Sequence, residues 1–172
     1  TGHPLLKAAI GDAQGFFPNG GDAFDGHGHG THVAGIALYG DIKKCLQEKR
    51  FVPILRLFSG RILDTQNQND TGFVENHITK AVRYFYEHYK CRIFNLSFGD
   101  KRKPYLGKHV RGLATTLDSL SRELGILFVV SVGNFEGTQN IPKDWKVEYP
   151  HYLLTDEAAL LDPAPAINVL TI

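Results

Sequence analysis

Residues 25–35 read Asp25-Gly-His27-Gly-His29-Gly-Thr-His32-Val-Ala-Gly35, and this stretch carries the densest chemical signal in the chain. Glycine and alanine flank the histidines, and such small residues let neighbouring backbones approach closely. An apolar pattern that predicts a helix over residues 29–39 starts at His29. A histidine in the first turn of a helix packed on a sheet projects over the carboxyl edge of the strands, where open α/β sheets carry their active sites. The stretch therefore predicts a histidine positioned to act as a general base.

Outward from this stretch, apolar segments rich in β-formers alternate with longer helical patterns, as in a parallel sheet with crossover helices. The predicted strands comprise residues 52–58, 92–97, 126–132 and 166–172. They are nearly continuous in apolar residues, as is expected of strands that are covered on both faces. The predicted helices comprise residues 29–39, 41–48, 72–88 and 108–124, with short ones after Pro4 and near Asp156. The polar stretch 138–150 predicts a surface loop. The expected fold class is α/β.

Composition and charge exclude several classes of partner. The 172 residues are 42% hydrophobic and 22% charged, as in an ordinary globular domain. The formal net charge of +1 gives no reason to expect nucleic acid or an anionic membrane as partner. The basic run Lys101 to Lys103 is predicted to be a solvated loop. Cys45 and Cys91 predict buried or free thiols rather than a metal site, and a disulfide between them stays open.

The segment His29-Gly-Thr-His-Val-Ala-Gly35 resembles the histidine motif of the subtilases, a family of serine peptidases. Three further segments resemble family elements in the family's order: Ile93-Phe-Asn-Leu-Ser-Phe-Gly99, Phe128-Val-Val-Ser-Val-Gly-Asn134 and Pro165-Ala-Ile-Asn-Val-Leu-Thr-Ile172. Four ordered elements that cover nearly all of the chain make the resemblance specific. It implies a subtilisin-like parallel sheet flanked by helices in three layers.

The resemblance also implies a role for particular residues. His29 takes the place of the catalytic base, His32 that of a structural residue packed in the helix, and His27 has no family role. The backbone of Ser97, Phe98 and Gly99 is expected to pair with an extended peptide, and Asn134 to donate a hydrogen bond to the oxyanion. The implied partner is a peptide or protein substrate. No cofactor or metal is implied, because residues 41–50 predict a charged helix rather than the calcium loop of many secreted subtilases.

Subtilase catalysis uses Asp, His and Ser in that chain order, and the sequence departs from this pattern. No Asp-Ser/Thr-Gly segment precedes His29, and no Gly-Thr-Ser-x-Ala/Ser-Pro segment follows it. The triplet Asp70-Thr-Gly72 lies after His29 and predicts a helix cap instead. We therefore expect residues 1–172 to be a partial peptidase domain, incomplete at both ends and inactive alone, with the catalytic aspartate and serine of the endopeptidase outside it.

Three other interpretations compete with the subtilase one. His27, His29 and His32 approach the H-x-H-x-D-H pattern of zinc hydrolases, with Thr31 in the aspartate's place. Asn95-Leu-Ser97-Phe-Gly99 resembles a nucleophile elbow, but an elbow requires a helix directly after the serine, and the run Asp100-Lys-Arg-Lys-Pro104 that follows does not predict one. A non-catalytic peptide-binding module would keep the groove without the chemistry.

Overall fold

A computed structural model describes residues 2–17, 21–64, 74–133 and 144–172. The chain divides into two compact units, residues 1–89 and 90–172. The first unit contains α1 (Pro4–Lys7), β1 (Ile10–Gly15), α2 (His29–Tyr39), α3 (Ile42–Gln47), β2 (Leu57–Arg61) and α4 (Val74–Tyr89). The second contains β3 (Ile93–Leu96), β4 (Asp100–Pro104), α5 (Leu113–Leu124), β5 (Leu127–Val130), α6 (Trp145–Glu148), β6 (Leu161–Asp162) and β7 (Leu170–Thr171). In the described part of the chain, no helix combines the length and apolar character needed to span a membrane.

In the first unit, β1 and β2 are parallel, with Ala13 opposite Ser59 and Gly15 opposite Arg61. A buried cluster joins α1, the approach to β1 and α2, and consists of Leu6, Ala9, Ala34 and Leu38. Helix α2 is thus fixed by two residues of its apolar face. Helix α4 buries a second apolar face made of Ile78, Ala81, Val82 and Phe85, residues that recur at helical spacing.

Strand β1 was not predicted, because Ile10-Gly-Asp-Ala-Gln-Gly15 contains two glycines and little apolar surface. Long-range contacts hold it instead. Its Asp12 carboxylate accepts hydrogen bonds from the hydroxyls of Tyr84 (2.8 Å) and Tyr89 (3.0 Å) on α4. The Asp12 hydrogen bond, with partial desolvation, raises the pKa of Tyr84 to about 12. Tyr89 is 41% exposed, and its ring also packs against that of Phe58, with the ring centroids 4.5 Å apart.

The predicted strand 52–58 was wrong in its position, since β2 starts only at Leu57. Pro53 has no N–H to donate to a ladder. The N–H of Ile54 donates to the carbonyl of Leu38 (3.0 Å) on α2 rather than to a strand. The side chain of Ile54 is 75% exposed, so this apolar run is a surface connection.

In the second unit, β3, β5 and β7 form a parallel sheet in that order. Phe94 lies opposite Phe128 and Leu96 opposite Val130. Helix α5 buries Leu113, Ala114, Leu117 and Leu120. The helices and parallel strands of both units confirm the predicted subtilisin-like α/β class. The strands are less covered than predicted, however, because Ile93 is 69% exposed.

Other differences in the second unit concern its connections. The basic run Lys101 to Lys103 lies in β4, which pairs antiparallel with β6, and is not a loop. Helix α5 starts five residues later than predicted, because the buried carboxylate of Asp162 accepts hydrogen bonds from the N–H groups of Leu113 (3.2 Å) and Ala114 (2.9 Å). The predicted loop 138–150 contains the short α6. Cys45 and Cys91 are free thiols.

Candidate active site

His29 is the first residue of α2 and follows Gly28, whose φ of 92° lies in the left-handed region that favours glycine. Ala34 and Leu38 are buried further along the helix, so packing fixes α2 while its first turn stays at the surface. The His29 side chain is exposed. Within the residues that the structure describes, its ring makes no hydrogen bond to a carboxylate, and it is open to a reacting group.

Asp25 organises the chain that leads into this helix. Its Oδ1 accepts hydrogen bonds from the N–H groups of His27 (3.2 Å) and Gly28 (2.8 Å). Its Oδ2 accepts from the N–H (2.7 Å) and the hydroxyl (2.8 Å) of Thr31. We call residues 25–31 the histidine turn. Because Gly28 at the N-cap has no side chain, Asp25 accepts in its place from the N–H of Thr31 in the first turn of α2, and it also accepts from the two N–H groups just before the helix.

The same contacts favour the ionised form of Asp25. Partial burial opposes ionisation, but the hydrogen bonds from the Thr31 hydroxyl and the backbone outweigh it and lower the pKa of Asp25 to about 2. A negative charge near a helix N-terminus is also favourable to the helix dipole. Sequence analysis assigned no role to Asp25. The available signal was an Asp-Gly pair, typical of turns, ahead of a helix whose N-cap, Gly28, has no side chain to accept a hydrogen bond.

His27 and His32 do not join His29 in a metal site. In the described ranges, no group of three His, Cys, Asp or Glu side chains is arranged to hold a metal ion. The donors of the zinc alternative are therefore not brought together. His32 is exposed, whereas the resemblance predicted a packed position, because the buried face of α2 is formed by Ala34 and Leu38.

Ser97, Phe98 and Gly99 follow β3 directly and are all half-buried. The hydroxyl of Ser97 accepts a hydrogen bond from Asn95 Nδ2 (2.8 Å). The residues after Gly99 form β4, a strand. The structure thus lacks the helix that a nucleophile elbow requires, and the rejection of that interpretation is confirmed.

Gly99 and Gly133 approach the same side chain, that of Leu161 on β6. A Cβ atom on Gly99 would lie 2.9 Å from Leu161 Cβ, and one on Gly133 would lie 2.6 Å from Leu161 Cδ1. The φ of Gly133 is 108°, which also favours glycine. The N–H of Leu161 donates to the carbonyl of Val132 (3.2 Å). We call this arrangement the glycine contact.

The glycine contact brings the segment after β3 beside the segment after β5, which are the two places where the resemblance puts substrate and oxyanion groups. Asn134 follows Gly133 but lies outside the described residues, as does Asp70. Sequence analysis missed Leu161, because nothing local marks a leucine as the partner of glycines 28 and 62 residues away.

The comparisons with known proteins agree with these elements. The sequence profile of the subtilase family matches residues 1–172. The uncharacterized protein y4bN of Sinorhizobium fredii is 39% identical over 98 residues, which cover 56% of this chain and 23% of that protein. The subtilase-type proteinase RRT12 of Saccharomyces cerevisiae is 28% identical over 158 residues, which cover 86% of this chain and 24% of that protein. The chain spans about a quarter of the length of these relatives. It belongs to the subtilase family.

Proposed function

We propose that the full-length protein is a serine endopeptidase that hydrolyses peptide bonds by acyl transfer. The observation that carries the proposal is His29, exposed at the first turn of α2 in a chain that belongs to the subtilase family. In this proposal His29 takes a proton from a serine hydroxyl as general base. It then returns the proton to the leaving amine as general acid.

The other groups act on the substrate. The main chain of Ser97 to Gly99 pairs with an extended peptide or protein substrate, so that the scissile bond is held in one place. The side chain of Asn134 donates a hydrogen bond to the oxyanion of the tetrahedral intermediate. Loss of such a donor costs about 10²- to 10³-fold in kcat, a magnitude known from subtilisin. No cofactor enters the reaction.

The nucleophilic serine and the aspartate that orients His29 belong, in this proposal, to chain outside residues 1–172. The 172 residues form part of one peptidase domain and do not hydrolyse peptides alone, because an acyl transfer of this type requires a nucleophile. The free ring of His29 in the described residues is consistent with an orienting carboxylate supplied from elsewhere.

A second candidate is a peptide-binding module of the same fold without catalysis. The glycine contact favours this candidate, because the packing that holds Ser97 to Gly99 in place does not require a catalytic triad. The two candidates predict the same peptide groove and differ only in the chemistry at His29.

A serine-directed fluorophosphonate probe separates the two candidates. We expect the full-length protein to be labelled and to cleave a peptide library, and residues 1–172 alone to do neither. Binding of peptides by the full-length protein without labelling or cleavage would favour the binding module and contradict the peptidase.

A further inference from the structure

A positively charged groove lies on the surface of the second unit. Its volume is about 400 Å³, and it is lined by Pro104, Tyr105, Leu106, Lys108, His109 and Arg111. We call it the basic groove. The Tyr105 hydroxyl donates a hydrogen bond to the carbonyl of Lys108 (3.1 Å), and this bond closes the turn between the two residues. Leu106 is 55% exposed, so the groove offers apolar surface as well as charge.

The charge is concentrated in one segment of the chain. Residues 100–111 contain five lysine and arginine residues and one aspartate, whereas the whole chain has a net charge of only +1. Lys108 and Arg111 are both exposed, and in the described part of the chain neither forms an ion pair. Local excess charge of this kind attracts groups of opposite sign.

The two acidic groups of this region do not neutralise the basic groove. Asp100 forms a charged hydrogen bond with Arg102 Nε (2.9 Å), which together with further contacts of Arg102 lowers the pKa of Asp100 against the effect of burial. Asp162 is buried and accepts from the first N–H groups of α5. Both carboxylates thus have partners of their own, and Lys108 and Arg111 remain available to a ligand.

The basic groove follows the proposed substrate segment closely along the chain. β4 starts at the residue after Gly99 and ends at Pro104, the first residue of the groove. A peptide paired along Ser97 to Gly99 rises about 3.3 Å per residue. The groove starts five residues after Gly99 in the chain, so it lies within about 17 Å of the substrate segment, a distance that about five residues of extended peptide can span.

We propose that the basic groove binds glutamate and aspartate side chains of peptide substrates, and that the protein prefers peptides with acidic residues beyond the Gly99 end of the substrate segment. This proposal rests on the proposed peptidase function. Lys108 and Arg111 supply the charge, while Tyr105 and Leu106 contact the aliphatic part of the acidic side chain. A concave groove within reach of a peptide-binding segment fits an extended peptide better than a flat anionic membrane surface.

The test compares pairs of peptides that differ only by glutamate or glutamine at one scanned position, cleaved by the full-length protein. We expect kcat/KM to be about fivefold higher for the glutamate peptide at low salt, since each exposed charge pair contributes a few-fold. The ratio should approach one near 1 M salt, where charges are screened beyond about 3 Å.

Two double variants locate the effect. Lys108→Glu with Arg111→Glu should abolish or reverse the glutamate preference. The matched control, Lys43→Glu with Arg50→Glu, changes the net charge equally at two exposed residues of the first unit and should leave the preference unchanged. Equal kcat/KM for both peptides, or a preference that survives in the groove variant, would overturn the proposal while the peptidase function stands.

A binding assay tests the groove proposal independently of the peptidase proposal. Fluorescence anisotropy with the full-length His29→Ala variant measures affinity for the same peptides without cleavage. If the wild-type protein cleaves nothing but the groove still favours glutamate in this assay, the groove assignment stands and the peptidase proposal falls. If phosphatidylserine vesicles, and not the glutamate peptide, bind in a groove-dependent way, the ligand is a membrane and the peptide proposal is overturned.

Discussion

The histidine turn and the glycine contact are held by opposite kinds of force. In the histidine turn, one ionised carboxylate, Asp25, accepts four hydrogen bonds from backbone and hydroxyl groups. In the glycine contact, the apolar side chain of Leu161 packs against two backbones that carry no Cβ. The first region depends on charge and hydrogen bonding, the second on shape. The two regions therefore respond to different perturbations.

The comparison predicts that the glycine contact is the more sensitive to added volume. Gly133→Ala would place a Cβ 2.6 Å from Leu161 Cδ1 at a φ of 108°. We expect it to lower the free energy of unfolding of the full-length protein by about 3 kcal/mol, from overpacking and backbone strain together. Urea unfolding measures the change.

Gly107→Ala is the matched control, because Gly107 has a φ of 72° with nothing within 4 Å of its added Cβ. This variant introduces backbone strain but no clash, and we expect it to lower the free energy of unfolding by about 1 kcal/mol. Adding Leu161→Ala to Gly133→Ala should recover part of the loss. Equal costs for the two glycine variants would show that Leu161 does not set the requirement.

For the histidine turn, we expect Asp25→Ala to lower the free energy of unfolding by about 2 kcal/mol, because several donors lose their acceptor at once. Asp41→Ala is the control, since Asp41 caps α3 through a single hydrogen bond to Lys44 N–H (2.9 Å). That loss should be about 0.5 to 1 kcal/mol. Similar losses in the same urea assay would mean that the four bonds of Asp25 do not act together.

Lowering the pH should destabilise the histidine turn and leave the glycine contact unchanged. The pKa of Asp25 is lowered from 3.8 to about 2 by its hydrogen bonds, which outweigh the opposing effect of burial. A carboxylate with a lowered pKa in the folded state stabilises fully above its unfolded pKa and loses this contribution as pH falls from about 4 to 2. After solvent screening, we expect this contribution to the free energy of unfolding to be about 1 kcal/mol.

The difference in unfolding free energy between wild type and Asp25→Asn, measured at pH 5, 4 and 3, should shrink with acid. The difference between wild type and Gly133→Ala should stay constant over the same range, because no group in the glycine contact titrates there. A Gly133→Ala difference that follows the same acid dependence would contradict the division into polar and apolar regions.

Local patterns in the sequence predicted much of the fold. Helix α2 was predicted with its observed bounds, and α4 lies largely within the predicted helix 72–88, where Ile78, Val82 and Phe85 recur at helical spacing. β3 and β5 were predicted within a few residues, because their apolar runs contain the buried residues Leu96, Phe128 and Val130. These elements depend on period and burial, which a sequence displays directly.

Long-range contacts explain what sequence analysis missed. β1 exists through its pairing with β2 and its bonds to α4, and β4 through its pairing with β6, so neither is encoded in its own residues. At the site, the motif predicted His29 and the Ser97 to Gly99 segment. It did not predict Leu161, whose role depends on three separate segments meeting, or Asp25, whose partners are mostly backbone groups.

If His29 is the general base of a serine peptidase, as we propose, its neighbour His32 offers the most direct comparison. Both histidines are exposed on α2, three residues apart. In the full-length protein we predict that His29→Ala lowers kcat by about 10⁴-fold or more, while His32→Ala changes it by less than about tenfold. Peptide hydrolysis that survives in His29→Ala, or is lost equally in His32→Ala, would contradict the account.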